Sequence, residues 1–349
     1  MDILITVLSA VLVLGTLIFT HELGHFISAR IFKVKINEFS LGMGPRLVWY
    51  DSKKTGIRYS LAMFPLGGFV AMEGESEEST DPNAFDKKPA WQRLIITAAG
   101  PAVNILTGFL AMLILTAFIR VGSTVIHDFD TPKEGGISSS ESGLMAGDEI
   151  IAINGSRVNF LDELSYEIMR RGNEPCDILV LRDGEELLVP DVVFPTVEQN
   201  GQTFGNMDFR VRAMEKNVGS VLLYSVKKAI LIVRMCYESI YDLISGRFSV
   251  EGVTGPIGLS EAIGEAAKSD SLLNLLSLAG FISINLGVMN LLPIPALDGG
   301  RSLALLFEVI TKKRIPPKIE NTINGVALLL LLGLSVLVMF KDVFTIINR

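Results

Sequence analysis

The string His21-Glu22-Leu23-Gly24-His25 has the form H-E-x-x-H. On a helix, side chains four residues apart share a face. Both imidazoles can therefore bind one Zn²⁺, while the glutamate stays free to act as a general base toward water. Five residues alone are a weak signal, because unrelated sequences match by chance. Position sharpens it. Two of the three histidines in this 349-residue chain stand at the end of the uncharged run from Ile3 to Thr20. That run makes about 27 Å of helix at 1.5 Å per residue, close to one hydrocarbon thickness. Ionisable groups at membrane depth cost several kcal/mol, so interfacial anchoring explains the pair less well than ligation does.

Two imidazoles leave a catalytic zinc one protein ligand short. The candidate is Asp298, in "NLLPIPALDGG" from Asn290 to Gly300. There Pro293 and Pro295 interrupt an apolar segment, and irregular backbone at membrane depth is tolerated only where it is buried in protein or lines a wet cavity. Read alone, Asp298 would open a turn with Gly299 and Gly300. Beside HELGH it supplies a carboxylate at the matching depth.

The elements that must position these groups are apolar. Hydrophobic residues make up 49% of the chain, and the mean hydropathy is +0.44. Membrane spans are expected first. A net charge of -7 argues against nucleic acid as a partner. Four spans are predicted, at 1–27, 94–120, 272–296 and 322–347, the first retained because no basic n-region or small-residue cleavage site marks a signal peptide. Gly100, Ala102 and Gly108 in the second span would let helices approach closely. Lysines and arginines crowd the loops 28–93 and 297–321, so both loops are expected in the cytoplasm, with the region from Arg120 to Asp270 outside. Cys176 and Cys236 lack metal-type spacing and read as small core residues.

Within the loop 28–93, "IRYSLAMFPLGGFVAME" (Ile57 to Glu73) has two β-prone runs around Pro65-Leu66-Gly67-Gly68. It is either a reentrant hairpin whose edge, with Gly67, Gly68 and Phe69, pairs with an unwound substrate, or a cytoplasmic hairpin packed under the spans. In the outer region, "GLMAGDEIIAINGSRV" leads a Gly-Asp turn into a strand that stops at Asn154-Gly155. A helix around Leu161 to Arg171 follows, then strands with a hairpin at Asp183-Gly184. The G-L-x-x-G-D-x-I-x-x-I-N-G string resembles a PDZ domain, placed at 121–213, with another small β-rich domain as the alternative. The stretch 217–246 carries Leu222, Val226, Ile230, Val233, Tyr237, Ile240 and Ile244 on one helical face. It suits an amphipathic helix on the membrane or against the spans, or a core helix of the outer domain.

Taken together, the chain resembles the site-2 protease family of intramembrane zinc metalloproteases, specifically its RseP-type bacterial group. The matching segments are H-E-x-G-H, "AAGPAVN" in the second span, N-x-x-P-x-P-x-L-D-G from Asn290 to Gly299, and "FSLGMGPRL" with "FPLGGFVAMEGE" between the first two spans. The resemblance implies Zn²⁺ bound by His21, His25 and Asp298, Glu22 as catalytic base, and Asn285 and Asn290 holding substrate or transition state. It implies a polytopic α-helical membrane protein of four spans with a reentrant β-hairpin and an inserted extracytoplasmic PDZ domain. The site would face the cytoplasmic side of the bacterial inner membrane, and the substrates would be single-span membrane proteins such as anti-sigma factors or remnant signal peptides. Two departures stand out: one PDZ-like domain where well-known relatives have two, and Arg301 after L-D-G-G where some members have histidine. A proteolytically dead adaptor would be free to lose Glu22, and a metal transporter would have no use for it.

Overall fold

In a lipid solvent a chain must satisfy its backbone polar groups internally, which favours long helices. The structure, a computed structural model, describes residues 2–75, 77–131, 137–172, 174–199, 202–247, 255–269 and 271–347. It divides into two compact units, Met1–Met112 with Thr254–Arg349, and Leu113–Val253.

The first unit is largely helical. Helix α1 (Asp2–Ile31) and α2 (Ala90–Phe118) are followed, after the second unit, by α5 (Pro256–Lys268), α6 (Leu272–Leu291), α7 (Asp298–Thr311) and α8 (Pro317–Ile347). The stretches Ile3–Ile31, Ala90–Phe118, Leu272–Leu291 and Lys318–Phe344 are long and apolar enough to cross a membrane, as a multi-pass protein requires. Hydroxyls along α1 are satisfied by their own helix, Thr16 Oγ1 donating to the Leu12 carbonyl at 2.7 Å and Thr20 Oγ1 to that of Leu17 at 3.0 Å. Glycines let α2 and α6 approach. A Cβ on Gly108 would lie 2.7 Å from the Gly280 carbonyl, and one on Gly287 2.7 Å from that of Pro101. Ala102, expected at this contact, is exposed instead.

Several boundaries differ from expectation. Helix α6 stops at Leu291 rather than 296, because Pro293 and Pro295 cannot continue it. The segment 297–321 is not a loop, since 298–311 forms α7. Its Gly299-Gly300 pair, which reads as a turn, serves close approach: side chains there would collide with the carbonyls of Leu292 and Ile294. Helix α5, assigned by sequence to the outer region, joins the first unit, with Ile263 in a core cluster with Ala10, Val13 and Leu17 of α1.

Between α1 and α2 stand β1 (Ile36–Asp51) and β2 (Arg58–Met72). The chain reverses direction between Leu61 and Gly68, across Pro65-Gly68, but the two runs flanking the reversal do not pair with each other as a simple hairpin. Residues 58–61 run parallel to 38–41 and antiparallel to 48–51, whereas 68–72 run antiparallel to 36–41, so both β1 and β2 fold back where Met43 faces Phe64. Gly42, Gly44 and Gly67, at φ of 85°, 88° and 90°, take the left-handed backbone that the bend requires. The strand 36–41 consequently has neighbours on both sides, 68–72 on one and, along 38–41, 58–61 on the other. The 68–72 stretch is an edge.

The second unit holds a sheet in the order β10 (Phe209–Ala213), β3 (Gly122–Phe129), β4 (Glu149–Ile153), β6 (Cys176–Arg182), β7 (Glu185–Val192), with β5 (Ser156–Arg157) paired to β4. A separate hairpin joins β8 (Thr196–Gln199) and β9 (Gln202–Gly205). Asn154-Gly155 and Asp183-Gly184 all have positive φ, as two-residue hairpin turns demand. Ile126, Ile150, Ile153, Leu164, Ile168, Ile178 and Phe209 form the core with α3 (Leu161–Arg171). Each such side chain contributes roughly 1.5–3 kcal/mol by leaving water. Helix α4 (Val218–Ile244) docks on α3 through its polar face. Arg170 pairs with Asp242 at 2.8 Å, Arg234 with Glu167 at 2.6 Å, and the Tyr166 hydroxyl donates to Glu238 at 2.7 Å. Leu222, Leu223, Val226, Ile230, Tyr237, Tyr241 and Ile244 remain exposed along its other side.

Candidate metal centre

The i, i+4 spacing on α1 brings His21 and His25 to one face, their rings edge to face with centroids 4.9 Å apart. The first residue of α7 meets them. His21 Nε2 lies 3.0 Å from Asp298 Oδ2, His25 Nε2 lies 3.4 Å from the same oxygen, and the two imidazole nitrogens are 3.3 Å apart. Ligand atoms on a tetrahedral zinc with bonds near 2.0–2.1 Å are separated by about 3.3 Å. The three donors thus fit the metal that their types select. Among the described residues they are the one such cluster of His, Cys, Asp or Glu.

Neighbouring groups fix the rings. His25 Nδ1 donates to the Ile96 carbonyl at 2.8 Å, which leaves the Nε2 lone pair free for a metal. A side chain on Gly100 would collide with His25 Nε2, and a Cβ on Gly24 would enter the backbone of Ala99, so two glycines let α1 and α2 close on each other here. His21 Nδ1 stands 3.3 Å from the Asn104 amide, whose other end is 3.1 Å from the Thr20 hydroxyl. Ligation through Nε2 puts a proton on Nδ1, so the Asn104 carbonyl oxygen must face it. The Thr20 hydroxyl, whose one proton goes to the Leu17 carbonyl, can accept from the Asn104 NH2 in that orientation. Asn104 is fully buried, and its main-chain carbonyl accepts from Ser283 Oγ on α6 at 2.7 Å.

Glu22, between the two histidines in sequence, is 9% exposed. It faces a cavity of about 410 Å³ lined by His21, His25, Asp298, Thr97, Glu75, Arg301 and residues 68–72 of β2. Pro101 has no N–H, so Thr97 at this wall loses the usual helical partner of its carbonyl. Gly68 presses on α1, since a Cβ there would sit 2.9 Å from Glu22 Cγ and 3.1 Å from Ile18 Cγ2. Gly68 and Phe69 therefore join the cavity, whereas Gly67, Asn285 and Asn290 are not among its lining residues. The Asn285 amide turns back on its own helix, donating to the Phe281 carbonyl at 3.0 Å. Sequence reading overlooked Asn104 as a site residue. The available signal was a buried-type amide inside an otherwise apolar span.

The profile of peptidase family M50 matches residues 9–334. This chain belongs to peptidase family M50. It is 32% identical to a candidate zinc metalloprotease of Fusobacterium nucleatum over 98% of its own length and 100% of that protein's. A similarly named protein of Clostridium acetobutylicum is 33% identical over 97% of each chain. The regulator of sigma-W protease RasP of Bacillus subtilis is 27% identical over 95% of this chain and 97% of its own. An M50 chain is a metalloprotease and its metal is zinc, which agrees with the two-nitrogen, one-oxygen donor set.

Proposed function

We propose that this M50 enzyme is an intramembrane endopeptidase that cuts transmembrane segments of single-span membrane proteins, anti-sigma factors or remnant signal peptides among them. The observation that carries the reading is the meeting of His21, His25 and Asp298 at zinc-ligand spacing on an apolar helix, with Glu22 in the same cavity. Bound zinc supplies a Lewis acid and makes water a usable nucleophile near neutral pH. Glu22 takes that water's proton and returns it to the leaving amine. His25 and His21 are held in register by Ile96 and Asn104.

A helical substrate hides its peptide bonds in its own hydrogen bonds and must unwind. Residues 68–71 of β2 line the cavity beside Glu22 and, among the described residues, have a strand partner on one side only, which supports uptake of the unwound stretch as an added strand. The contact of Gly68 with Ile18, one turn earlier on α1 than Glu22, supports a reentrant position for this part of the hairpin. Parts for Asn285 and Asn290 in holding substrate are proposed on the family resemblance alone. The β-rich second unit is proposed to be the PDZ domain, outside the cytoplasm, and the site to lie toward the cytoplasmic face.

The test is purified protein with a model single-span substrate, with and without a zinc chelator, beside Glu22→Gln. Cleavage that stops with chelator, and a Glu22→Gln chain that keeps about one zinc yet cuts nothing, are the expected results. Activity within about tenfold of the parent removes Glu22 as the base.

A further inference from the structure

Arg301 stands in the first turn of α7, three residues after Asp298, and lines the same cavity. Its Nη1 donates to Glu75 Oε1 at 2.6 Å, and its Nη2 to the Glu75 carbonyl at 2.9 Å. The guanidinium carbon lies 4.9 Å from the centroid of Phe85, a ring in the core cluster that contains Ile36, Phe39 and Val70 of the sheet. Glu75 is in turn locked to the end of β2. Its N–H donates to the Met72 carbonyl and its Oε2 accepts from the Met72 N–H, both at 3.3 Å. A continuous chain of charge-assisted bonds therefore runs from the helix that carries a metal ligand to the strand whose free edge faces the metal. Two contacts from one planar guanidinium fix direction as well as distance, which a lysine cannot do.

We infer that the Arg301–Glu75 pair sets the register between the bound substrate strand and the metal, and so decides which peptide bond is cut. This rests on the reading above, that 68–72 takes up substrate by strand addition. Along a strand, backbone and side-chain geometry repeat every two residues. An edge that slips relative to α7 offers the metal a bond two residues away, and a misplacement of about 1 Å already costs on the order of 100-fold in rate. Arg301 and Glu75 are positioning residues, acting through β2 and Asp298. A purely structural role, holding α7 in place, would slow the reaction without moving the cut.

The experiment uses the full-length zinc-loaded protein and a single-span substrate whose residues around the cut are a repeated dipeptide, so that bonds two apart are chemically alike. Products are identified by mass spectrometry and zinc is measured per chain. Arg301→Gln and Glu75→Gln should keep zinc, lower kcat at the original bond by about tenfold or more, and add products displaced by two residues. An unmoved cut in both variants overturns the inference. If Arg301→Gln loses zinc, Arg301→Lys decides, because it keeps the charge and loses the two-point contact: displaced products support the pair, and an unmoved cut overturns it. Phe69→Pro separates the two readings. If that variant cuts normally, strand addition falls and the register role falls with it. If it is impaired while the Arg301 variants cut at the original bond, the register role alone is wrong.

Discussion

A single oxygen, Asp298 Oδ2, closes the triad against both imidazoles, and it reaches them from a helix that begins at that residue. Asp298→Asn keeps the shape and removes the charge. A neutral amide is a far poorer zinc ligand than a carboxylate, so zinc should fall well below one per chain, and cleavage by at least about 100-fold. Metal analysis after dialysis checks this, and full zinc retention with normal cleavage would move the third ligand elsewhere. At this scale much of the site was legible in the sequence. The spacing of His21 and His25 is a local property of one helix, and a carboxylate after a proline-broken span is a local anomaly. What stayed hidden is long-range: the Asn104 amide reaches His21 across 83 positions and Arg301 reaches Glu75 across 226. No periodicity encodes such pairs.

Between residue and molecule, the element that matters most is β2, whose reversal is legible in the sequence and whose partner is not. Pro65, Gly67 and Gly68 look like a turn because those residue types usually make one. The chain does reverse there, Gly67 joining Gly42 and Gly44 in folding two strands back together, but the strand 36–41 lies between the two arms, which local residue types do not reveal. The bend leaves 68–72 with a partner, 36–41, on one side and the metal cavity on the other. Helix α7 was missed for the related reason that glycines needed for close approach resemble glycines needed for turns. The amphipathic pattern of α4 was legible, but not its partner, since α3 engages it by charge pairs rather than by the apolar stripe. If the β2 edge receives substrate, Phe69→Pro should impair cleavage of helical substrates by about tenfold or more and leave zinc in place. Proline deletes a backbone donor and cannot extend a ladder on its bonding side. Unchanged turnover would leave the edge as packing.

For the molecule as a whole, the telling fact is topological: the second unit is inserted, the chain leaving the first at Met112 and returning at Thr254. A body tethered at both ends has little freedom to withdraw, so we propose that it screens substrates by the bulk of their outer domains. The rival is recognition of a newly exposed chain end. A hollow lined by Leu161, Phe209 and Val211, with Arg210 and Arg212 beside the β10 edge, is where such an end would bind. The two mechanisms make opposite demands on a deletion. Cutting the domain at Ala213 would strand α4, whose Leu231, Ile232, Cys236 and Asp242 are buried in this unit. Replacing 122–247 with a flexible linker removes α4 together with the surface it covers. Screening predicts that this chain cuts substrates still carrying a bulky outer domain, which the parent leaves intact. It also predicts that Leu161→Arg, which spoils the hollow, changes the cutting of trimmed substrates by less than about threefold, because the hollow then has no part in binding them. End recognition predicts the reverse: bulky substrates stay uncut by the deleted chain, and Leu161→Arg stops cleavage of trimmed ones. Comparing the two chains on one substrate pair, full-length and trimmed, separates the mechanisms without naming the natural substrate.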